Sequence, residues 1–439
     1  MKLKQFYTGC MLSASLLTLF GCQANESDQN VEQTNEIVTT ITNPVELEFC
    51  HSMNGDLEKA LNGLIDTFNT SIGAEKGITI KPVYQGSYDD LKSKITAAIK
   101  SGSTPAITQG ASNYIAEFMQ AGVVQPLDDY IFNEEVGIKD FDDIYEAYRN
   151  ENSQYTEDGK FYSLPFNKST DVLYYNKTFF EENGLEVPTT WAEMEEVSKQ
   201  ITALTNKPAF GIDSSENYLI TMIKQLGGEY TSSTGEILFD SEGVALEALE
   251  LLKRNTDAGY WRLAGEDKYM SGPFTSGLVQ MYIGSSAGYS FLQGADFEFV
   301  AAPIPQVSEE TKAVPQQGAN ILVLNQNKTA EEVYGAYEFV KFVCSTEGNL
   351  QWVLNSGYLP IRESVVNTEE YQKYVEESGD TTKISGPAQA DDFFYEPAFF
   401  KDSYNSTQVR SEMRTVVEKV VLSGEEPKAV LDYTLNLFK

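Results

Sequence analysis

The sequence predicts an α/β protein of two lobes, each assembled from separated pieces of one chain. Three observations lead there. Short runs of β-branched and aromatic residues alternate with longer stripes at helical spacing along nearly the whole chain. The stretch 163–177, S-L-P-F-N-K-S-T-D-V-L-Y-Y-N-K, starts as a Pro-containing loop and ends in a strand, Val172, Leu173, Tyr174 and Tyr175. A helix follows at once and stops at Asn183-Gly184, so this strand is read as the passage from one lobe to the other. After it the strand–helix alternation resumes, and a length of 439 residues suggests roughly two to three domains.

The first residues are not part of that fold. Lys2 and Lys4 precede an apolar run, 11–20, too short to span a membrane easily. Leu19-Phe20-Gly21-Cys22 has the form of a bacterial lipobox, in which the Cys is lipidated and becomes the new N-terminus. The expectation is a signal peptide over 1–21, a lipid anchor at Cys22 and a polar tether over 22–44.

From Val45 the pattern changes. Val45, Leu47 and Phe49 alternate as a strand, and 51–55 forms a turn. Leu57, Leu61, Leu64, Ile65 and Phe68 stripe a helix, and 78–80 is a second strand. Leu91, Ile95, Ala98 and Ile99 mark a helix that stops at Gly102, Ala106-Ile107 a third strand, and Ser112 caps a helix through Met119. Strand and helix in strict alternation imply a parallel sheet with right-handed crossovers. Ligands of such sheets sit beyond the carboxyl ends of the strands. The loops 51–55, 86–88 and 109–112 occupy that place, with free backbone N–H groups at the helix starts.

The second lobe repeats the grammar. Thr190 and Glu193 form a capping box ahead of Trp191, Met194, Val197 and Ile201. Phe210-Gly211-Ile212 is a strand, 218–226 a helix, 246–252 another, and 278–283 a strand running into Gly284-Ser285-Ser286-Ala287-Gly288-Tyr289. That turn lets backbone approach a ligand closely, but it lacks the Lys of a phosphate loop. The strand from Phe299 leads to a return passage near Val307. Gly318-Ala319-Asn320 enters a strand over 321–324, Thr329 and Glu332 box the next helix, and Tyr358-Leu359-Pro360 makes a third passage. The lobes are therefore expected at 45–168 with 308–358, and at 169–307 with 359–439.

Charge and composition narrow the partners. Lys+Arg total 32 against 65 Asp+Glu, a formal charge of -33, which argues against nucleic acid or an anionic bilayer surface as a partner. One histidine, His51, leaves no material for imidazole metal clusters or for a Ser-His-Asp triad elsewhere. Cys50 and Cys344 stand on apolar stretches, either as a disulfide formed outside the cell or as two reduced core thiols.

Together these motifs resemble the extracellular solute-binding proteins of ABC importers, in the family that includes the maltose-binding proteins. The lipobox, V-L-Y-Y-N-K at 172–177 with Thr190-Trp191 after it, and S-T-E-G at 345–348 with G-Y-L-P at 357–360 carry the resemblance. The glycerol-3-phosphate-binding subgroup is similar in F-C-H-S-M at 49–53, Y-Q-G-S-Y at 84–88, L-P-F-N-K-S-T at 164–170 and G-Y-L-P-I at 357–361. The resemblance implies a type II periplasmic-binding-protein-like fold with a hinge of three crossings. It implies a monomer without catalysis or cofactor, lipid-anchored on the outer side of a bacterial membrane. It would capture a sugar, a polyol or a polyol phosphate and pass it to ABC permease subunits.

The subgroup's ligand contacts fall on Tyr88, Ser169, Ser285, Ser286, Gly318 and Tyr358. Four positions depart from its pattern. Cys50 stands where Trp is usual, Ser112 where a carboxylate is, and Ser215 and Tyr218 where two Trp are. The phosphate-binding Arg is represented by Arg410, with Lys401 nearer the expected place. Tyr88, Ser112, Gly318 and Tyr358 are assigned to the first lobe, and Ser169, Tyr218, Ser285, Ser286 and Arg410 to the second. Two rivals from other classes are a lipid-anchored glycoside hydrolase with paired carboxylates and a surface adhesin. The second would show repeats or a broad apolar patch, and neither is visible in the sequence.

Overall fold

The computed structural model describes residues 37–232, 235–239, 243–398 and 406–438. The leader, Cys22 and Lys401 lie outside the described residues. Among the described residues ten strands form one continuous hydrogen-bonded system: β1 Val45–His51, β2 Ile78–Tyr84, β3 Ile107–Gly110, β4 Leu164–Asn176, β5 Phe210–Ile212, β6 Trp261–Leu263, β7 Met281–Ser285, β8 Phe299–Ala302, β9 Val314–Val323 and β10 Phe393–Phe394. Their order is β2-β1-β3-β9-β4-β7-β5-β6, with β10 beside β9 and β8 beside β4.

The alternation seen in sequence is the cause of this order. Leu47 and Phe49 on β1 and Ile78 and Ile80 on β2 are at most 2% exposed. They pack with Leu61, Leu64, Ile65 and Phe68 of the Gly55–Thr70 helix and with Phe339 and Val340 of the Ala330–Val343 helix. Burial of such side chains contributes about 1.5–3 kcal/mol each. β1 runs parallel to β2 and β3, as expected, while β9 is antiparallel to both β3 and β4. A second core gathers Trp191, Phe210, Trp261, Leu249 and Leu252 with Val409, Met413 and Val416 of the Ser406–Leu422 helix. Here β5 is parallel to β6 and β7, and β7 and β8 are antiparallel to β4. The chain is thus the mixed α/β, two-lobed architecture expected.

Three details differ from the sequence reading. β4 begins at Leu164, so the stretch read as a loop is strand, and residues 164–170 pair with β9 while 171–176 pair with β7 and β8. The return passage is made by β9 and not near Val307. At that earlier point the chain is still held by the second lobe, since Gln306 N donates to Thr189 O and Gln225 Nε2 to Ala313 O, both at 2.9 Å. The third passage follows Leu359 by a whole helix. Ile361 belongs to the first core, Arg362 bonds to Asp140 and Asp143, and Tyr371 of the Glu369–Ser378 helix packs on Val353. Contact with the second lobe comes at Gly379, whose carbonyl accepts from the Tyr289 hydroxyl at 2.9 Å, and at Thr381, whose Oγ1 receives Ala301 N at 2.7 Å.

The capping boxes at Thr190/Glu193 and Thr329/Glu332 are formed, and a third joins Ser87 and Asp90. Ser112 is not a cap: Ala111 holds the cap position, and the Ser112 hydroxyl turns to Glu151. Ile37 and Ile41 lie against the first core, and the backbone N–H groups of Thr42 and Asn43 reach the Glu331 carboxylate at 3.2 and 3.4 Å. Cys50 and Cys344 are both buried and unpaired, so the disulfide alternative is set aside, and burial pushes their thiols up to about 11 and about 12.

Candidate functional site

Five consecutive polar residues, Asn167, Lys168, Ser169, Thr170 and Asp171, lie in the middle of β4, each at most 5% exposed. Burying a polar or charged group without partners is costly, so each must be answered by something nearby, and the answers come from both lobes. Asn167 Nδ2 donates to the Tyr88 hydroxyl at 2.7 Å. Lys168 Nζ donates to Glu151 Oε2 and, at 3.1 Å, to Asn320 Oδ1, and lies 5.3 Å over the Tyr148 ring. Glu151 in turn accepts from Ser112 Oγ at 2.7 Å. Ser169 Oγ reaches Gln317 Oε1 at 3.4 Å. Thr170 N donates to Ser286 Oγ at 3.2 Å. Asp171 accepts from Gln317 Nε2 at 2.7 Å and from Asn217 Nδ2 at 3.3 Å.

This strand therefore brings most of the nine candidates together. Tyr88 and Tyr358 interact with each other and with Asn167, and burial raises both phenols. Tyr358 is backed by Trp352, stacked at 5.7 Å and 13°. Its turn is held from behind by Lys383, whose Nζ donates to the carbonyls of Gly357 and Tyr358 at 2.6 and 2.8 Å. Gly318 pairs with Lys168 across β9 and β4. Ser285 Oγ receives Ala287 N at 3.3 Å, shaping the turn that presents Ser286. Arg410 joins through Asn217, whose Oδ1 it reaches at 2.6 Å; it also ion-pairs with Glu396 and stands 3.7 Å from Glu216.

Tyr218 is placed differently. It lies in the second core, edge-on to Trp191 at 5.5 Å, and its hydroxyl is committed to Ala248 O at 3.1 Å. With Asp171 and Thr221 it borders only a small internal cavity. Glu151, Asp171, Asn217, Gln317 and Lys383 were missed in the sequence. The clue for Asp171 was present, because an acid inside an otherwise strand-like run needs a partner.

A large cavity of about 900 Å³ lies elsewhere, between Ala147, Asn150 and Gln154 of the Glu146–Ser153 region and Tyr230 and Thr231, above Phe393 and Phe394. It holds none of the nine candidates. The cavity is lined from both halves of the chain, while the β4 cluster concentrates buried polar groups answered from both lobes.

Burial raises Asp171 to about 6 and nearby Asp213 adds to this, against the pull of Gln317, Asn217 and Arg410. Because the folded pKa lies above the unfolded value near 4, the folded state holds the proton more tightly there. This group's contribution thus falls as pH rises from about 4 to about 6. Asp171→Asn is expected to gain on the order of 2–3 kcal/mol relative to the native chain between pH 4 and pH 8. Paired urea melts at the two pH values check it; a difference independent of pH would contradict it.

Among the described residues no cluster of His, Cys, Asp and Glu is arranged to hold a metal, and no helix is long and apolar enough to cross a membrane. The family described as bacterial extracellular solute-binding protein matches residues 63–377. The sn-glycerol-3-phosphate-binding periplasmic protein UgpB of Pectobacterium atrosepticum is 27% identical over 353 residues, covering 76% of this chain and 77% of that protein. UgpB of Mycobacterium tuberculosis, solved with glycerophosphocholine, superposes with a TM-score of 0.76 at 20% identity, over 90% of this chain and 97% of that one. The cyclic alpha-maltosyl-1,6-maltose binding protein of Arthrobacter globiformis gives 0.75 at 22% identity, over 89% and 97%.

Proposed function

The chain belongs to the bacterial extracellular solute-binding protein family, and from that premise we propose that it captures a polar small molecule between its lobes for an ABC importer. The solute is a sugar, a polyol or a polyol phosphate of the glycerol-3-phosphate type. The curated relative binds sn-glycerol 3-phosphate by name, and the structural neighbours were solved with or named for glycerophosphocholine and a cyclic maltooligosaccharide. The observation that supports this most is the buried polar run of β4, which is answered from both lobes. Two rigid halves joined at such a strand open and close as a hinge. A solute that touches both halves only when they close shifts the population toward closure.

In this proposal Tyr88, Ser112, Gly318 and Tyr358 serve from the first lobe, and Ser169, Ser285, Ser286 and Arg410 from the second. Tyr88 and Tyr358 each offer a ring face and a hydroxyl, which suits the mixed surface of a sugar or polyol. Tyr218 contributes from behind, through the packing beneath Asp171. In the same proposal the lipobox Cys22 anchors the mature protein to the bacterial membrane at the cell surface or periplasmic face, as a monomer that delivers its solute to permease subunits without turning it over.

Thermal melting against sugars, polyols and their phosphates tests the proposal, with mass spectrometry of any copurifying small molecule to choose the panel. A true solute at a hundredfold excess over its Kd stabilises by about 2.7 kcal/mol. A panel including the copurified molecule that moves the melting temperature nowhere overturns the proposal. Tyr358→Phe, which removes one hydroxyl and keeps the Trp352 stack, is expected to weaken binding about tenfold and to lower the unliganded stability by only about 1 kcal/mol, the hydroxyl's bonds to Asn167 and Tyr88 being lost. Unchanged affinity by calorimetric titration removes Tyr358 from the site.

A further inference from the structure

Three side chains at the carboxyl ends of β1 and β3 and on β4 carry a polar atom with no hydrogen-bond partner: Ser52 Oγ, Gln109 Nε2 and Asn167 Oδ1. Their exposures are 9%, 1% and 0%. They are neighbours. Ser52 N donates to Gln109 Oε1 at 3.2 Å, and Gln109 and Asn167 both face the Tyr88 hydroxyl. The Ser52 N–H also fixes which way the Gln109 amide points, turning its NH2 toward the Tyr88 hydroxyl without a well-formed bond to it.

Unanswered buried polar atoms are few in folded proteins, and three side by side call for a missing partner. Lys168 is matched with Glu151 and Arg410 with Glu396, and Asp171 is held by the Gln317 and Asn217 amides. The influences on the Tyr88 and Tyr358 phenols are burial, each other and the neighbouring amides, with no charged side chain among them.

We propose that Ser52, Gln109 and Asn167 form an uncharged subsite that reads the solute's hydroxyl groups as a vicinal diol. One hydroxyl accepts from Gln109 Nε2 and donates to Asn167 Oδ1, and its neighbour exchanges a hydrogen bond with Ser52 Oγ. Each missing partner is supplied, and no ionised group is taken into the pocket. An ionised part of the solute, if it has one, points away from this end toward the second lobe. The proposal rests on the solute-binding reading and adds three residues and a chemical class to it.

Calorimetric titration of the full chain with glycerol 3-phosphate, glycerophosphocholine and maltose provides the test. For every probe the native chain binds, Ser52→Ala and Gln109→Glu are expected to lower affinity at least about tenfold. Gln109→Glu keeps the oxygen that receives Ser52 N–H and replaces only the NH2. Ser52→Ala removes a hydroxyl with no protein partner, so its unliganded melting temperature is expected to match the native one. Native affinity in both variants overturns the subsite while the solute-binding reading stands. Weakened binding that follows a lowered unliganded melting temperature in Ser52→Ala also overturns it, by assigning the hydroxyl a structural part. If the native chain binds none of the three probes, the solute class itself is wrong and the subsite falls with it.

Discussion

Gly318→Ala is expected to cost at least about 3 kcal/mol of stability and to abolish solute binding. Gly318 lies on β9 with φ at +99°, a conformation that side chains of L-residues rarely adopt. A Cβ there would stand 1.9 Å from the Asn167 carbonyl oxygen and 3.2 Å from Lys168 Cα. Both obstacles are backbone, so no rotamer change relieves them. The register of β4 against β9 already shifts between Pro165 and Asn167. That irregularity turns Asn167 and Lys168 to their separate partners, Tyr88 and Glu151. Pushing the strands apart at this point would disturb the strand that joins the lobes and the first contact of the site together. A variant that melts within a degree of the native protein would show that the close approach is not needed.

Lys168→Met is expected to destabilise by about 3–5 kcal/mol, because it leaves the Glu151 carboxylate buried without its cation. Lys168 is fully buried, and Glu151 is 7% exposed. Ser112 and Asn320 contribute neutral bonds to the pair but no compensating charge. Lys168→Met with Glu151→Leu removes both charges, and much of the loss is expected to return. Urea denaturation of the two single variants and the double variant closes the cycle. A Lys168→Met chain within about 1 kcal/mol of native would mean that water reaches the pair.

Most of the fold could be read from periodicity. The alternation of Val45, Leu47 and Phe49 and the stripe Leu61, Leu64, Ile65 and Phe68 name the faces that are buried in the first core. The Thr190/Glu193 and Thr329/Glu332 pairs mark two helix starts to the residue. That the middle of β4 is strand and not loop was hidden for a physical reason. Hydrophobic patterning reports burial by apolar contact, whereas Asn167 to Asp171 are buried by hydrogen bonds to partners far away in the chain. The same cause displaced the passages between lobes. Residues 304–313 look like a loop leaving the second lobe, yet Thr189 and Gln225 hold them there. Ser112 fits a capping pattern locally, and only the fold brings Glu151 to its hydroxyl.

The candidates that the structure brings together are those whose motif carried its own geometry. Tyr88, Tyr358, Gly318, Ser169, Ser285 and Ser286 all lie on or beside the β4 strand in the structure. Tyr218 shows the limit, since alignment with an aromatic position says nothing about which way a helix turns its ring. Arg410 shows another, because its partners Glu396 and Asn217 come from different segments.

A polar solute that draws the two lobes together across the β4 strand makes the protein more compact. Small-angle X-ray scattering on the protein, with and without a saturating solute from the melting panel, measures this directly. A smaller radius of gyration is expected in the bound state. A solute shown by titration to saturate the protein while the scattering curve stays the same would contradict it.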